Sequence, residues 1–193
     1  MDIAIIGTGF IGGILGRTLA AAGHRVTFGS RRPDDEQAAS GTPARVASVA
    51  EALSGPEVVI LALPAAAVAD LTAAHGDRLA GKLVIDATNQ MGQPVANSRS
   101  RLPATVRYAR AFNTMGGENM ADPVFPDGTA DMFFSAPEGD TAALETIIGA
   151  VGLRPVYVGE DAEALIDAIF QLWIALAVGQ RRGRRLAFRL LEG

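Results

Sequence analysis

The sequence contains no cysteine and only two histidines, His24 and His75, in 193 residues. Disulfides, thiolate zinc sites, iron–sulfur clusters and a cysteine nucleophile all need cysteine, and these are therefore excluded. Two histidines also argue against a multi-histidine metal centre, so we expect no bound metal. A chain of this length nonetheless buries about 70% of the surface that it would expose when unfolded, so an apolar core is sufficient for folding.

Neither sign of charge dominates the sequence. Its 17 basic and 21 acidic residues give a net charge of −4, which produces no field that would gather nucleic acid or an anionic membrane. The N-terminus has no basic region ahead of its apolar residues, and the apolar runs are shorter than the roughly 18 residues of a membrane span. We expect a soluble, cytoplasmic protein in which any anion-binding site is local.

Strand and helix patterns alternate along the chain. Ile3–Ile6 is predicted to be a strand, helically spaced apolar residues follow up to Gly23, and Arg25–Gly29 is predicted to be a second strand,. Val58–Leu63 and Leu83–Asp86 are continuous apolar runs, typical of parallel strands that are covered on both faces. Weaker strands are expected at Arg45–Val46, Val106–Ala109, Asp131–Ala136 and Pro155–Val158.

These patterns predict an α/β fold in a single domain spanning residues 1–193. Residues 1–158 are expected to form a doubly wound, mostly parallel sheet with helices on its faces. Residues 159–193 are expected to form a helical tail that is interrupted near Gly179 and Gly183.

A glycine-rich segment, Gly7-Thr8-Gly9-Phe10-Ile11-Gly12, joins the first strand to the first helix. It matches G-x-G-x-x-G, in which the first glycine permits a tight turn, the second lets a pyrophosphate approach the backbone, and the third allows close packing of helix on strand. The helix N-terminus adds N–H groups that attract phosphate. This arrangement is typical of a Rossmann-type dinucleotide site; the alternative is a glycine-rich turn without a ligand.

The end of the second strand distinguishes between the two nicotinamide dinucleotides. NAD sites place an acidic residue there for the ribose 2′-hydroxyl, whereas this chain has Ser30, Arg31 and Arg32. Guanidinium groups form charge-assisted, often bidentate bonds to phosphate oxygens, so NADP(H) is favoured over NAD(H). The alternative is that both arginines are surface charges, partly neutralised by Asp34–Glu36.

Later strand ends are expected to flank the dinucleotide, because ligands of doubly wound sheets lie outside the carboxyl ends of the strands. Leu63 ends one strand and could cover the adenosine side or the nicotinamide ribose, and Asn89 follows another strand. Asn89 could bond the ribose or the carboxamide, or could be a turn residue that bonds its own backbone.

Two other polar residues are given structural roles. His75 is expected to complement a helix dipole, and Tyr108 is expected to lie in the core rather than act as an acid.

Several segments together resemble the coenzyme F-420-dependent NADP oxidoreductases. They are Ile3–Gly12, the Ser30-Arg31 pair, Asp86–Asn89, Arg110–Gly116, Glu118–Asp122 and Leu172–Ala177. The resemblance covers nearly the whole chain, and its specific motifs are the glycine segment and the Ser-Arg pair. A basic residue that some members carry beyond that pair corresponds here to Asp34 or Asp35.

The resemblance implies a small Rossmann-type protein that passes a hydride between NADP(H) and a deazaflavin. By position, the family's NADP contacts fall on Thr8, Gly9, Phe10, Ile11, Ser30, Arg31, Leu63, Ala67 and Asn89. The loop after Ala111 differs from that of the well-characterised deazaflavin enzymes. The NADP assignment therefore transfers more directly than the deazaflavin assignment.

Hydride transfer between two flat rings needs the donor and acceptor carbons to be stacked, while the cofactor supplies the electronics. We therefore predict no catalytic side chain, which suits a sequence without cysteine and with few histidines. The acceptor face is predicted at five residues of one loop: Ala111, Asn113, Thr114, Met115 and Gly116. Small residues would admit a flat ring; the alternative is a packed strand-to-loop junction.

The C-terminal region holds the only dense basic cluster, Arg181–Arg185. It could contact the polyanionic tail of a deazaflavin coenzyme, but basic residues near a helix end also complement the helix dipole, which is the interpretation we favour. The apolar helix before it, with Leu172 and Trp173, is hydrophobic on more than one face. A homodimer through this tail is therefore predicted.

The sequence thus predicts an NADPH-dependent oxidoreductase whose acceptor is a deazaflavin or a flavin. Two alternatives stay open. One is a reductase of imines or hydroxyacids that needs a second copy of the chain to complete its site, because few residues follow Val158. The other is a redox sensor that binds NADP(H) without catalysis.

Overall fold

The computed structural model describes residues 1–33, 39–90, 97–191 and 193. The chain forms two compact units, Met1–Ala109 and Arg110–Gly193, called unit 1 and unit 2 below. The predicted single domain, with a core of residues 1–158 and a tail of residues 159–193, stays a prediction.

A six-stranded sheet in the order β3-β2-β1-β4-β5-β6 forms the centre of unit 1. Its strands are β1 (Asp2–Ile6), β2 (Arg25–Ser30), β3 (Arg45–Ser48), β4 (Val58–Leu61), β5 (Leu83–Asp86) and β6 (Arg107–Arg110). The β3–β2, β2–β1, β1–β4 and β4–β5 pairs are parallel. The order changes direction between β1 and β4, the point at which doubly wound sheets bind ligands. The predicted doubly wound α/β fold is confirmed.

The helices of unit 1 are α1 (Phe10–Ala21), α2 (Val49–Ala52), α3 (Ala67–Leu79) and a 3-10 turn, Arg99–Arg101. Helix α1 approaches β2 closely because Gly16 has no side chain: a Cβ there would lie 2.0 Å from the ring of Phe28. Gly23, with φ at +91°, follows α1 and turns the chain into β2, as predicted,. Because only Gly7, Thr8 and Gly9 separate β1 from α1, the N-terminus of α1 lies at the carboxyl end of β1.

A buried carboxylate holds the chain at the carboxyl end of β5. Asp86 is fully buried and accepts hydrogen bonds from the backbone N–H of Thr88 at 2.9 Å, the N–H of Ser98 at 2.7 Å and the hydroxyl of Tyr108 at 2.7 Å. Such bonds compensate the cost of removing a carboxylate from water. Tyr108 lies in the core, as predicted, and its hydroxyl is used there.

Unit 2 contains a parallel strand pair, a short antiparallel hairpin and several helices. The parallel pair, β9 (Asp131–Phe134) and β10 (Arg154–Tyr157), is joined through a 3-10 turn (Glu138–Asp140) and α5 (Thr141–Ala150). The hairpin consists of β7 (Val124–Phe125) and β8 (Gly128–Thr129). The other helices are α4 (Gly117–Ala121), α6 (Glu163–Ile174) and a π turn, Ala175–Gly179. The sequence analysis assigns no strand to the residues of the hairpin.

Helix α6 and its π turn confirm the helical region near the C-terminus, but the helix predicted for the part of residues 159–193 that follows Gly179 is wrong for the described residues. The described residues after Gly179 form no helix. Arg181 and Gly183 have φ angles of +56° and +88°, which a right-handed helix does not contain. The described residues beyond Gly179 are therefore irregular.

Residues 184–190, called the C-terminal segment below, are held against unit 2 by hydrogen bonds to their backbone. The indole N–H of Trp173 donates to the carbonyl oxygen of Leu186 at 2.7 Å. The side-chain amide of Asn119 donates to the carbonyl oxygens of Arg184 and Leu186 at 2.9 and 3.0 Å. Side chains on α4 and α6 thus satisfy backbone acceptors that a helix would have satisfied internally.

Two arginines of the basic cluster are used inside unit 2. Arg184 forms an ion pair with Glu118 and lies 5.4 Å above the ring of Trp173. Arg185 pairs with Asp122 at 2.8 Å. Because neither arginine lies at a helix C-terminus, the helix-dipole interpretation is wrong for both.

Candidate functional site

A cleft of about 420 Å³ opens in unit 1 at the carboxyl ends of β1, β2 and β4. Its volume lies in the range of small-molecule sites. It brings together eight of the predicted cofactor-binding residues: Gly7, Thr8, Gly9, Ser30, Arg31, Arg32, Leu63 and Ala67. Strand ends of a parallel sheet meet at one edge, which explains why residues so distant in sequence line one cleft.

Two glycines of the G-x-G-x-x-G segment are explained by packing within the protein. Gly7 has φ at +115°, and a Cβ on it would lie 2.3 Å from the carbonyl oxygen of Ala62. A Cβ on Gly12 would lie 2.0 Å from the carbonyl oxygen of Gly7. Both positions exclude any other side chain, whether or not a ligand binds.

Gly9 has a different environment, because a Cβ on it would meet no protein atom within 4 Å. Its φ of −72° is open to any residue, so neither packing nor backbone conformation accounts for the glycine. Gly9 is the N-cap of α1, whose first turn contains no acidic residue. Amides of a first helical turn point out of the helix and carry its positive dipole end. The open space at Gly9 therefore fits an anionic group such as a pyrophosphate.

Ser30 orders the turn that follows β2. Its hydroxyl accepts a hydrogen bond from the N–H of Arg32 and donates to the carbonyl oxygen of Arg32, both at 3.0 Å. Arg31 and Arg32 are exposed and line the cleft. This turn therefore presents two guanidinium groups at the strand end where a 2′-phosphate is expected. The acidic residues Asp34–Glu36, considered above as neutralising groups, lie outside the described residues.

A capping box fixes the neighbouring helix. The Ser48 hydroxyl and its backbone N–H donate to the carboxylate of Glu51 at 2.8 and 3.0 Å. These bonds hold the pKa of Glu51 below its usual value,. They set the start of α2, where Val49 lines the cleft.

The other predicted cofactor-binding residues are not among those that line the cleft. Phe10 is 65% exposed, Ile11 is half-buried and Gly12 is buried at the start of α1. Asn89 follows β5 and is half-buried. Their roles toward the cofactor stay predictions.

The predicted acceptor face lies in unit 2 and is buried throughout: Ala111, Asn113, Thr114, Met115 and Gly116. In the amide orientation that pairs donors with acceptors, the Asn113 side-chain oxygen accepts from the Arg110 guanidinium at 3.1 and 3.0 Å. Arg110 is fully buried and forms an ion pair with Asp167 at 2.8 Å. Asn113 thus has an internal partner, and its role toward an acceptor stays a prediction.

Helix α3 supplies residues to the cleft that the sequence analysis missed. Asp70, Leu71, Ala74 and His75 line it together with Ala67. The signal was the spacing i, i+3, i+4, i+7 and i+8, which places five residues on one helix face. His75, expected to serve the helix dipole, lies at a kink with φ at −141° and ψ at 16°, and the structure places it at the cleft instead.

Within the described residues, no group of three or more histidine, aspartate or glutamate side chains is arranged to hold a metal ion. In the same part of the chain, no helix combines the length and the hydropathy needed to cross a membrane.

Comparison with known proteins places these features in a family context. Residues 2–90 match the family model of the NADP oxidoreductases described as coenzyme F-420-dependent. A crystal structure from Arthrobacter sp. FB24, provisionally named an F-420-dependent NADP-reductase, has a TM-score of 0.84 and 26% sequence identity, and the match covers 100% of both chains. The family resemblance is thereby confirmed. The matched residues contain the glycine segment, the Ser30–Arg32 turn and all of the cleft lining.

More distant structures share the fold. A hypothetical protein from Sinorhizobium meliloti has a TM-score of 0.73 at 24% identity, covering 100% of this chain and 96% of that one. An imine reductase from Aspergillus terreus, in complex with NADPH4 and a dibenzazepine, has a TM-score of 0.67 at 21% identity. That match covers 93% of this chain but only 61% of the imine reductase.

Proposed function

We propose that the protein is an NADP(H)-dependent oxidoreductase that transfers a hydride between NADP(H) and a deazaflavin of the F-420 type or a flavin. One observation carries the proposal: a cleft in unit 1 combines open space at Gly9 with Ser30, Arg31 and Arg32 at the end of β2. The family match over residues 2–90 and the name of the Arthrobacter protein support the same cofactor and acceptor class.

In this proposal each end of the cleft has a separate task. The N-terminus of α1 binds the pyrophosphate, and Gly9 leaves room for its oxygens,. Arg31 and Arg32 bind the 2′-phosphate, and the bonds from Ser30 to Arg32 hold the turn in place before the cofactor arrives,. Preorganised donors of this kind reduce the entropy that binding costs.

The bound dinucleotide supplies the hydride, and the acceptor takes it together with a proton from solvent. The protein's own residues then need only bind and orient the two rings, so no catalytic side chain is assigned. The acceptor face at Ala111, Asn113, Thr114, Met115 and Gly116 is part of the proposal, and its support comes from the sequence.

A single-turnover experiment tests the proposal. The protein loaded with NADPH is mixed with oxidised deazaflavin, with FMN or with a cyclic imine, and the near-ultraviolet absorbance of NADPH is followed. Loss of this absorbance with deazaflavin or FMN is expected. Oxidation with none of the three, despite NADPH binding, would favour the redox-sensor alternative.

Imine reduction is a second candidate because the imine reductases share the fold. Since the chain spans 61% of the length of the A. terreus enzyme, such an activity would require a second copy of the chain to complete the site.

Helix α6 and its π turn leave three apolar side chains, those of Leu165, Leu172 and Val178, at least half exposed. We therefore retain the homodimer as part of the proposal, with this apolar surface as its contact. Oxidation of NADPH by the cyclic imine alone would select this second candidate.

A further inference from the structure

The face of α3 that lines the cleft is mainly apolar. Ala67, Leu71 and Ala74 lie on it at helical spacing, and Leu63 lines the cleft beside them. Flat aromatic ligands are commonly held against apolar surfaces of this kind. This wall therefore suits a nucleobase better than a phosphate.

The position of the wall also suits the base. In NADP(H) the 2′-phosphate and the adenine are attached to the same ribose. If Arg31 and Arg32 bind that phosphate, the adenine lies within one sugar ring of them. The same cleft contains both the arginines and the apolar face of α3, so the base can reach that face without leaving the cleft.

Asp70 and His75 are the two polar residues on this face. Among the described residues that line the cleft, Asp70 is the only carboxylate, and the other ionisable side chains are those of Arg31, Arg32 and His75. A carboxylate in a site for phosphates repels the ligand unless it faces a part that donates hydrogen bonds. The exocyclic amino group of adenine is such a donor, and it lies on the base, at the end of the ligand that the apolar wall would hold.

We propose that Asp70 reads the base: its carboxylate accepts a hydrogen bond from the exocyclic amino group of adenine, so the cleft selects adenine over a 6-oxopurine. The inference rests on the proposed function, because it assumes that NADP(H) occupies the cleft. It assigns a specificity-determining residue to the cofactor site. A 6-oxopurine presents a carbonyl oxygen at the same position, and two acceptors facing each other repel.

The experiment compares NADPH with the reduced form of nicotinamide hypoxanthine dinucleotide phosphate, in which a carbonyl replaces the adenine amino group. Dissociation constants are measured by fluorescence titration of the full chain. The wild type is expected to prefer NADPH by about tenfold, the magnitude of one charge-assisted hydrogen bond at its lower limit. Asp70→Ala should reduce this preference to within about twofold, since it removes both the attraction and the repulsion. Asp70→Asn should lose the preference as well, because its amide can present its oxygen to the adenine amino group or its NH2 group to the hypoxanthine carbonyl.

Asp77→Ala is the matched control, because Asp77 is an exposed aspartate of the same helix that does not line the cleft. It should keep the wild-type preference. A wild type without preference, or an Asp70→Ala variant that folds and retains it, overturns the inference. The latter result would leave Asp70 as a helix-dipole residue only, because it lies in the first turn of α3,.

The two hypotheses fail in different ways. If the wild type binds neither NADPH nor 2′,5′-ADP, the proposed function is wrong. If NADPH binds and Arg31→Ala removes its advantage over NADH, while Asp70→Ala leaves the base preference unchanged, only the assignment of Asp70 is wrong.

Discussion

The hydroxyl of Ser30 bonds to both the N–H and the carbonyl oxygen of Arg32, at 3.0 Å in each case. A single side chain therefore closes the turn that carries the two cleft arginines. The turn is shaped before any ligand binds, and the guanidinium groups stand at the strand end where NAD sites instead place a carboxylate.

Arg31→Ala should weaken NADPH binding far more than NADH binding, because NADH has no 2′-phosphate for the guanidinium to bind. The loss for NADPH is expected to be about 1.5–3 kcal/mol, the size of a hydrogen bond to a charged group. Isothermal titration with both dinucleotides measures it. Arg17→Ala, which removes an exposed arginine of α1 that does not line the cleft, serves as the control. Equal losses for NADPH and NADH would show that Arg31 does not bind the 2′-phosphate.

Gly9→Ala and Gly12→Ala should separate binding from folding. The new Cβ at Gly9 meets no protein atom, so the free energy of unfolding should change by no more than about 1 kcal/mol, the scale of N-cap substitutions. NADPH affinity should fall by roughly tenfold or more, since the methyl group occupies the space for the pyrophosphate.

Gly12→Ala should instead destabilise the protein by about 1–3 kcal/mol or more, because its Cβ would lie 2.0 Å from the carbonyl oxygen of Gly7,. Urea unfolding and NADPH titration of both variants provide the measurements. If Gly9→Ala binds NADPH as the wild type does, the pyrophosphate does not lie at Gly9.

Arg184→Gln should raise the pKa of Glu118. Burial raises this pKa, but the hydrogen bonds and charge of Arg184 outweigh it and leave the pKa below its usual value. A carboxyl group whose pKa is lower in the folded than in the unfolded state stabilises the folded state at pH values above its unfolded-state pKa. This contribution to the free energy of unfolding is lost as the pH falls through the folded-state pKa. The difference in unfolding free energy between wild type and variant should therefore be widest near neutral pH and narrow below about pH 4.5.

Carbon-detected NMR titration of Glu118 and urea unfolding across this range measure both effects. Arg182→Gln is the control, since the Arg182 side chain bonds to the side chain of Gln180 at 3.2 Å. A Glu118 pKa that does not change in Arg184→Gln would show that this ion pair does not form in solution.

Leu172→Glu should disrupt the proposed homodimer. Leu172 is 50% exposed on α6, so a carboxylate there costs the isolated chain little but is costly in an apolar contact between two copies. Light scattering should show a dimeric mass for the wild type and a monomeric mass for the variant. Gln171→Glu, which adds a charge at the neighbouring exposed position, should keep the wild-type mass. A monomeric mass for the wild type would show that the proposed homodimer does not form.

The sheet of unit 1 could be predicted because each of its strands carries its own local signal. Val58–Leu61 and Leu83–Ile85 are continuous apolar runs, a pattern typical of strands covered on both faces, and the structure buries both of them,. The two-residue strands of the hairpin at Val124–Phe125 and Gly128–Thr129 are too short to show any alternation. They escaped prediction for that reason.

The C-terminal segment escaped prediction because its conformation depends on tertiary contacts. Arginine favours helices, and residues 184–190 were expected to belong to the predicted helical tail. In the structure Asn119 and Trp173 bind its carbonyl oxygens, and these partners are remote in sequence. Local propensity carries no information about them.

The cleft was predicted in part. The glycine segment and the Ser30–Arg32 turn have signatures tied to short spacings, which sequence alone displays. Asp70 and His75 were missed because a helical face lining a cleft has the same spacing as one facing solvent or core. Knowing which face of α3 meets the cleft required the positions of β1, β2 and β4.

Deuterium tracing tests the central claim most directly. NADPH carrying deuterium at the transferable position of nicotinamide C4 is mixed with the protein and oxidised deazaflavin or FMN, and the reduced acceptor is analysed by mass spectrometry. We predict that deuterium moves to the ring carbon of the deazaflavin, because the hydride passes directly between the two rings. If FMN is the acceptor instead, deuterium leaves the nicotinamide but does not stay on the reduced flavin, because the flavin accepts the hydride on a nitrogen whose N–H exchanges with water. Deuterium that stays on the nicotinamide with both acceptors, whether the 4R or the 4S hydrogen of C4 is labelled, would contradict direct hydride transfer in a protein that binds NADPH.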